Sequence, residues 1–228
     1  MDETRREAPV ACGAQLGELI LGWVLAEGVR VAPADGQLTA ALDVAIAARA
    51  REGIDGGIKA AVRDLLRGHG YKPTGRGKPA SEFLARAAAD GAFPRISNVV
   101  DINNLVSLES CLPISVFDLD RARGSAAGLE VRRGHPGESF VFNTSGQAIE
   151  IAGLPGVARV GGEAIGNPVK DSMLAKVGED TERVLAVIYG SARVVTLAAM
   201  EMLAARFAVL LQAHAAAERI DSGAVAAI

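Results

Sequence analysis

What this chain of 228 residues has little of already excludes several classes. It has two cysteines, Cys12 and Cys111, far apart and flanked by no other ligand type. That excludes a disulfide framework and a zinc site, leaves no expected metal, and points to reduced thiols in the cytoplasm. Aromatic residues are only 4% of the chain, against abundant Ala and Gly, a bias of composition more than of chemistry. Positive charge is not in excess: the net charge of −3 argues against a general polyanion binder and gives no expectation of DNA as a partner. Uninterrupted apolar runs are missing as well. Glu18 breaks the first, and Arg193, Glu201 and Arg206 break the last, so the expectation is neither a signal peptide nor a membrane span.

The remainder is ordinary for a globular protein, with 50% apolar and 22% charged residues. The length suffices for a proper core, and the simplest reading is one domain over residues 1–228 with frayed ends near 1–9 and 221–228. Residues 16–32 form an apolar run that fits a strand or a short helix. Residues 37–68 read as helix broken at Gly53 to Gly57, with Gly68-His69-Gly70 as the stop. A Gly-, Pro- and Lys/Arg-rich loop covers Tyr71 to Pro79, and Ser81 is expected to open a helix ending at Asp90-Gly91. Apolar spacing at Val99, Ile102, Leu105, Val106 and Leu108 predicts a helix over 99–110, stopped before Pro113. From Val116 to Val187 short apolar runs alternate with turns, the texture of strands. A last long helix carries Leu197, Met200, Ala204, Phe207, Leu211 and His214 on one stripe. Segregated helices and strands give an α+β class, mixed sheets packed with helices.

Short motifs mostly dissolve on inspection. Gly75-Arg76-Gly77-Lys78-Pro79 lacks the distant glycine and the hydroxyl of a phosphate-binding loop, so no nucleotide cofactor is expected. There is no nucleophile elbow, and Ser110-Cys111 has no histidine partner in sequence. His69, His135 and His214 read as solvent-facing or structural, His214 as a cation near a helix C-terminus. Lys170-Asp171-Ser172 offers a Lys–Ser pair, but neighbours on a turn usually point apart. Between Lys59 and Arg95 lie Arg63, Arg67, Lys72, Arg76, Lys78 and Arg86, opposed only by Asp64, Glu82 and Asp90. This is either a patch able to guide one RNA end or a solvated helix face with a basic loop.

One stretch carries polar cargo that core-building does not require. Asn98 to Asp120 reads NVVDINNLVSLESCLPISVFDLD, setting Asn103, Asn104, Asp118 and Asp120 among apolar residues. Such groups must find hydrogen-bond partners or cost roughly 2–7 kcal/mol. For Asp101 and Asp118 the expected role is to tie the helix to the following corner. Residue by residue the stretch resembles the B-three/B-four editing domain of the bacterial phenylalanyl-tRNA synthetase beta subunit, whose run is N-x-V-D-I-T-N-x-V, then G-x-P-x-H-A-F-D-L-D. Asn98, Val100, Asp101, Ile102, Asn104, Val106, Pro113, Phe117, Asp118, Leu119 and Asp120 fall in register. Weaker similarity extends over roughly residues 70–190, through Gly128 to Arg132, Gly137-Glu138, Gly161-Gly162, and Asp180-Thr181 with Val184-Leu185. No synthetase catalytic core or ATP motif accompanies it, so the resemblance implies a free-standing module.

The family hydrolyses the ester of a wrong amino acid on the terminal ribose of tRNA. The resemblance therefore implies the aminoacylated 3′ end of tRNA as partner and no cofactor. It implies Gly161, Gly162 and Ser115 as catalytic positions, with Asn103, Asn104, Phe117 and Val187 lining a pocket where sheets and helices meet. Lys72, Arg76, Lys78 and Arg86 would touch RNA. Two positions depart from the family: its histidine falls on Ser115 and its pocket glutamate on Val187, so tyrosine is not the expected target. The alternative reading is a non-catalytic module that binds tRNA or an amino acid. Nothing in the sequence signals an oligomeric state.

Overall fold

The computed structural model describes residues 9–13, 16–67 and 70–227. The ambiguous run at 16–32 resolves as strand β2 (Leu19–Glu27), after a short β1 (Val10–Cys12). Burial on both faces is what erased its alternation. Ile20, Val24 and Ala26 join one apolar cluster, while Leu19 and Leu21 join another on the opposite side. Two helices follow, α1 (Gly36–Glu52) and α2 (Gly56–Leu66), opened by Asp35 and Asp55, whose carboxylates accept backbone N–H groups of the first turn. Next come α3 (Ala80–Ala89) and α4 (Asn98–Ser110). Pro79, not Ser81, stands at the start of α3, with Ser81 buried inside the first turn.

Helix α4 is buried almost all round and packs on α1, α3, α6 and the strand that follows it. It ends at Cys111, in left-handed backbone with φ 62°, and the chain turns into β3 (Ile114–Asp118). Asp118 caps the short α5 (Leu119–Arg123): its Oδ1 accepts from the Arg121 N–H at 2.9 Å and its Oδ2 from the Thr181 hydroxyl at 2.7 Å. Asp120 pairs with Arg183. Both carboxylates of the corner are thus structural, as is Asp101, which accepts from the Ile96 N–H at 3.1 Å.

The later strands are β4 (Leu129–Arg133), β5 (Ser139–Val141), β6 (Ala148–Glu150), β7 (Pro155–Arg159), β8 (Ala164–Gly166) and β9 (Arg183–Ser191). Helix α6 (Leu197–His214) and strand β10 (Arg219–Ala226) complete the chain. One sheet is antiparallel in the order β10-β2-β9-β3, and a mixed one runs β1-β4-β7-β8, with β5 and β6 as a separate ribbon. The α+β expectation holds. The frayed end from Asp221 does not: β10 pairs along its full length with β2, from Arg219 opposite Glu27 to Ala226 opposite Ile20. His69 lies outside the described residues.

Helix α6 crosses the antiparallel sheet closely because Gly22 and Gly190 leave room for Met200; a Cβ at either would sit within 2.8 Å of its side chain. By length and composition alone α6 is apolar enough to cross a membrane, in spite of Glu201 and Arg206. Its Met200, Ala204, Phe207, Leu210 and Leu211 are buried in the protein core, and Arg206 pairs with Glu109 at 3.1 Å.

Candidate functional site

Strand β3 is the edge of the antiparallel sheet. The Tyr189 N–H donates to the Pro113 carbonyl at 3.0 Å, which sets the ladder's phase. Residues 113, 115 and 117 therefore bond toward β9, and Ile114 and Val116 turn their backbone N–H and C=O to the open edge. Along that edge lies a cavity of about 350 Å³, walled by β3, by Asn103 and Asn104 of α4, by Phe83 and Leu84 of α3, and by the loop after β8. The sequence-derived polar positions Asn103, Asn104 and Ser115 thus meet at one site.

The loop wall adds Asn167, which the sequence reading did not single out, and Lys170 and Asp171, which it met only within a discounted Lys–Ser pair. The Asn167 Oδ1 accepts from the N–H groups of Val169 at 2.8 Å and Lys170 at 3.0 Å, folding the loop back on itself. This turn brings Lys170 and Asp171 to the same cavity, while Ser172 does not line it and its hydroxyl accepts from the Leu174 N–H at 3.2 Å, so no Lys–Ser pair forms. The signal available was Asn-Pro at 167–168, a strong turn initiator directly upstream. The Ser115 hydroxyl is buried, donating to the Asn167 carbonyl at 3.5 Å and accepting from the Tyr189 hydroxyl at 3.4 Å.

Burial pushes the Asp171 carboxyl up to about 6, against the pull of the Ser115 hydroxyl and of the Lys176 and Lys170 ammonium groups. Burial also raises the Tyr189 phenol, helped by the Asp171 charge, and lowers the Lys170 ammonium, with Lys176 nearby. A carboxyl raised in the fold favours the protonated native state; that contribution is complete below the unfolded value of about 4 and lost above about 6. Asp171→Asn is therefore expected to raise the melting temperature over wild type at neutral pH, with the gain vanishing by about pH 4. Thermal melts across that range check it; a gain independent of pH contradicts the assignment.

Beyond Phe83 and Lys170, which line both spaces, lies a larger cleft of about 670 Å³. The Lys170 ammonium stands 4.9 Å from the Phe83 ring centre and 5.3 Å from that of Phe142. Tyr71, Lys72 and Arg76 continue the lining. Of the basic residues singled out in sequence, Lys72 and Arg76 reach this cleft, while Lys78 and Arg86 do not. Arg86 pairs with Asp90 at 3.1 Å, and Arg63 holds Glu82 through two bonds of 2.6 Å.

Four other expected positions lie off the cavity. Phe117 and Val187 share a face of β3 and β9 with Ser115, Val187 directly opposite it, but both are fully packed in the core cluster there, Phe117 against Gly166, and neither lines the cavity. Gly161 and Gly162 form the turn from β7 to β8. There Gly161 takes φ 68°, the Gly162 N–H closes on the Arg159 carbonyl at 2.9 Å, and the Gly162 carbonyl accepts from Arg132 at 2.9 Å. These bonds use the turn for the hairpin and leave it out of the cavity wall. No cluster of His, Cys, Asp and Glu among the described residues has the makings of a metal site.

Comparison with known proteins gives three findings. The family model described as B3/4 domain matches residues 69–205. Among solved structures, an N-terminal fragment of the phenylalanyl-tRNA synthetase beta subunit from Pyrococcus horikoshii is similar, at 10% identity and TM-score 0.48. The alignment covers 88% of this chain and 46% of that fragment, so this chain spans less than half of it. No curated protein matches. With the family model covering more than half its length, the chain belongs to the B3/4 domain family.

Proposed function

We propose that this chain is an aminoacyl-tRNA deacylase acting in trans in the cytoplasm, hydrolysing the ester of mischarged tRNA. The observation that carries this reading is the pairing of two spaces across a shared wall. The inner one is small and polar, with Asn103, Asn104, Ser115, Asn167 and Asp171; the outer one is aromatic and basic, with Tyr71, Phe83, Phe142, Lys72 and Arg76. An aminoacylated adenosine has the same two parts, an acyl group of a few atoms and a stacked base beside phosphates. Aromatic faces tolerate any base, and lysine and arginine offset phosphate charge.

The ester is already activated, so the chemistry demands placement of a water and stabilisation of an oxyanion more than a strong nucleophile. In this reading Asn167 and the open-edge backbone N–H groups of β3 supply donors, Asp171 anchors the charged end of the substrate, and the proton of the attacking water passes to the departing ribose oxygen. Ser115 positions Asp171 from the side. The walls contributed by Ile114, Val116, Val169 and Val177 are aliphatic, which suits an apolar or small side chain.

The test is ester hydrolysis over a panel of mischarged tRNAs. Turnover above buffer for at least one amino acid is expected, and none for any pair ends the reading. If RNA lies in the outer cleft, binding weakens with salt. Three cations, Lys72, Arg76 and Lys170, at about 0.7 each for a single strand, give a log–log slope of about −2. Lys72→Ala with Arg76→Ala should flatten it by about 1.4, measured by filter binding or anisotropy; an unchanged slope places RNA elsewhere. The absence of the family's histidine and glutamate at Ser115 and Val187 favours one rival, a binding module without turnover. It predicts the same salt slope and no hydrolysis.

A further inference from the structure

Three residues lining the inner cavity each hold a buried polar atom with no hydrogen-bond partner: Asn103 Oδ1, Asn167 Nδ2 and Asp171 Oδ1. Among the described residues the only other such side-chain atom is Arg123 Nε, which does not line this cavity. Buried polar groups are almost always satisfied, so three in one small space mark groups kept for something that enters it.

Their chemistry is specific. The Asn167 amide cannot be turned round, because its oxygen is held by the Val169 and Lys170 N–H groups; its Nδ2 is therefore a donor waiting for an acceptor. Asp171, ionised at neutral pH, is an anionic acceptor. The nearest cations do not satisfy it. Lys170 reaches outward over two phenylalanine rings, and neither Lys170 nor Lys176 forms an ion pair with it within the described residues. Asn103 makes only a 3.5 Å contact to Asn104, so its amide can present either end. A bare Gly166 backs this arrangement, since a Cβ there would come within 2.6 Å of the Asp171 Oδ1. The complement of this set is a cationic donor a few bonds from a carbonyl, which is the head of an α-aminoacyl group.

Resting on the reading that the inner cavity takes an aminoacyl end, we infer that Asp171 with Asn103 binds the ligand's free α-ammonium while Asn167 binds its acyl carbonyl. The substrate class is then aminoacyl esters with an unblocked amine, and N-acylated esters, including peptidyl and formyl-aminoacyl ends, are rejected. The side chain is left to the aliphatic walls and sets the rank order within that class.

The probes are non-hydrolysable 3′-aminoacylamido-3′-deoxyadenosines carrying alanyl, valyl, seryl or phenylalanyl groups. Each is made as the free amine, as the N-acetyl derivative and without the amino group, and titrated calorimetrically into the full chain at neutral pH. For the members that bind, the free amine should be tighter than both counterparts by about tenfold or more. Asp171→Asn, which keeps shape and should melt no lower than wild type, should bring all three within about twofold. The ligand series itself needs no variant. Equal affinity for amine and blocked forms, a preference that survives in Asp171→Asn, or binding by no member overturns the inference. The two readings separate cleanly. Amine preference without turnover on any charged tRNA keeps the ammonium site and removes the deacylase; turnover with equal acceptance of blocked esters does the reverse.

Discussion

Asn167→Ala should lower single-turnover ester hydrolysis by about two orders of magnitude, the scale of a lost oxyanion donor or a misplaced reacting group. Two losses combine. The Nδ2 donor disappears, and the Oδ1 that folds residues 167–170 no longer accepts the N–H groups of Val169 and Lys170. Lys170 and Asp171 then lose the turn that brings them to the cavity. Stability should fall by only about 1–2 kcal/mol, because the loop's anchoring bonds from Ala80 N–H to the Pro168 carbonyl and from Ser172 N–H to the Ile165 carbonyl remain. Rate and melting temperature measured on the same preparation check this. A rate within threefold of wild type, about 0.7 kcal/mol in barrier, would place the chemistry outside this cavity.

Asn98→Ala should be the most damaging polar truncation for the fold. Its Oδ1 accepts from the Ala32 N–H at 3.0 Å, and its Nδ2 donates to the carbonyls of Arg30 at 2.9 Å and His214 at 2.8 Å. One buried amide thereby joins the exit of β2, the start of α4 and the end of α6. The same Oδ1 also accepts from the Val99 N–H at 2.9 Å, so removing the side chain strands four backbone groups, at about 3–5 kcal/mol together. Against a total stability of about 5–15 kcal/mol that is a drop of about 10 °C in melting temperature for a chain of this size. Denaturant unfolding gives the number directly. A loss under about 1 kcal/mol would mean that these bonds are replaced by water at no cost. Asn98 itself does not line the cavity, although Ile96 and Val100 on either side of it do, so whatever folded fraction remains should keep its turnover per folded molecule.

These two asparagines also illustrate what was legible in the sequence. Polar residues inside the apolar run from 98 to 120 were visible as groups in need of partners, and each now has an identifiable duty: Asn98 and Asp101 as ties, Asp118 as a cap, Asn103 and Asn104 as cavity wall. Helix starts were less legible: Ser81 is the expected opening of α3, which instead starts after Pro79, while the side-chain acceptors at Asp35, Asp55, Ser97 and Thr196 cap α1, α2, α4 and α6. Strand β10 was not legible. Its residues are half-buried, mixed Ser, Gly and Ala, and its partner β2 lies about 200 positions earlier, so neither alternation nor a local turn announced it. The same limit hid the site's second half. Asn167 and Asp171 follow β8 by chain order, but they meet Ser115 only because β3 borders the loop in space. Conversely, Gly161-Gly162 matched the family in register, yet in this chain the pair serves the β7–β8 hairpin, with Arg132 bridging the Gly162 carbonyl and Glu138.

The design that emerges trades stability for occupancy. A buried carboxyl raised to about 6 and three unpaired polar atoms are costs to the empty fold that a ligand of matching chemistry would remove. The most direct test is to observe where that ligand sits. With ¹⁵N-labelled protein, a short acceptor-stem RNA bearing an amide-linked aminoacyl end is added, and side-chain amide resonances are followed. The Asn103, Asn104 and Asn167 amides should shift together, with backbone amides of Ile114 and Val116 moving alongside. If they stay still while signals from the Gly161-Gly162 turn or the exposed face of α6 respond instead, the cavity beside β3 is not the place where this protein meets its substrate.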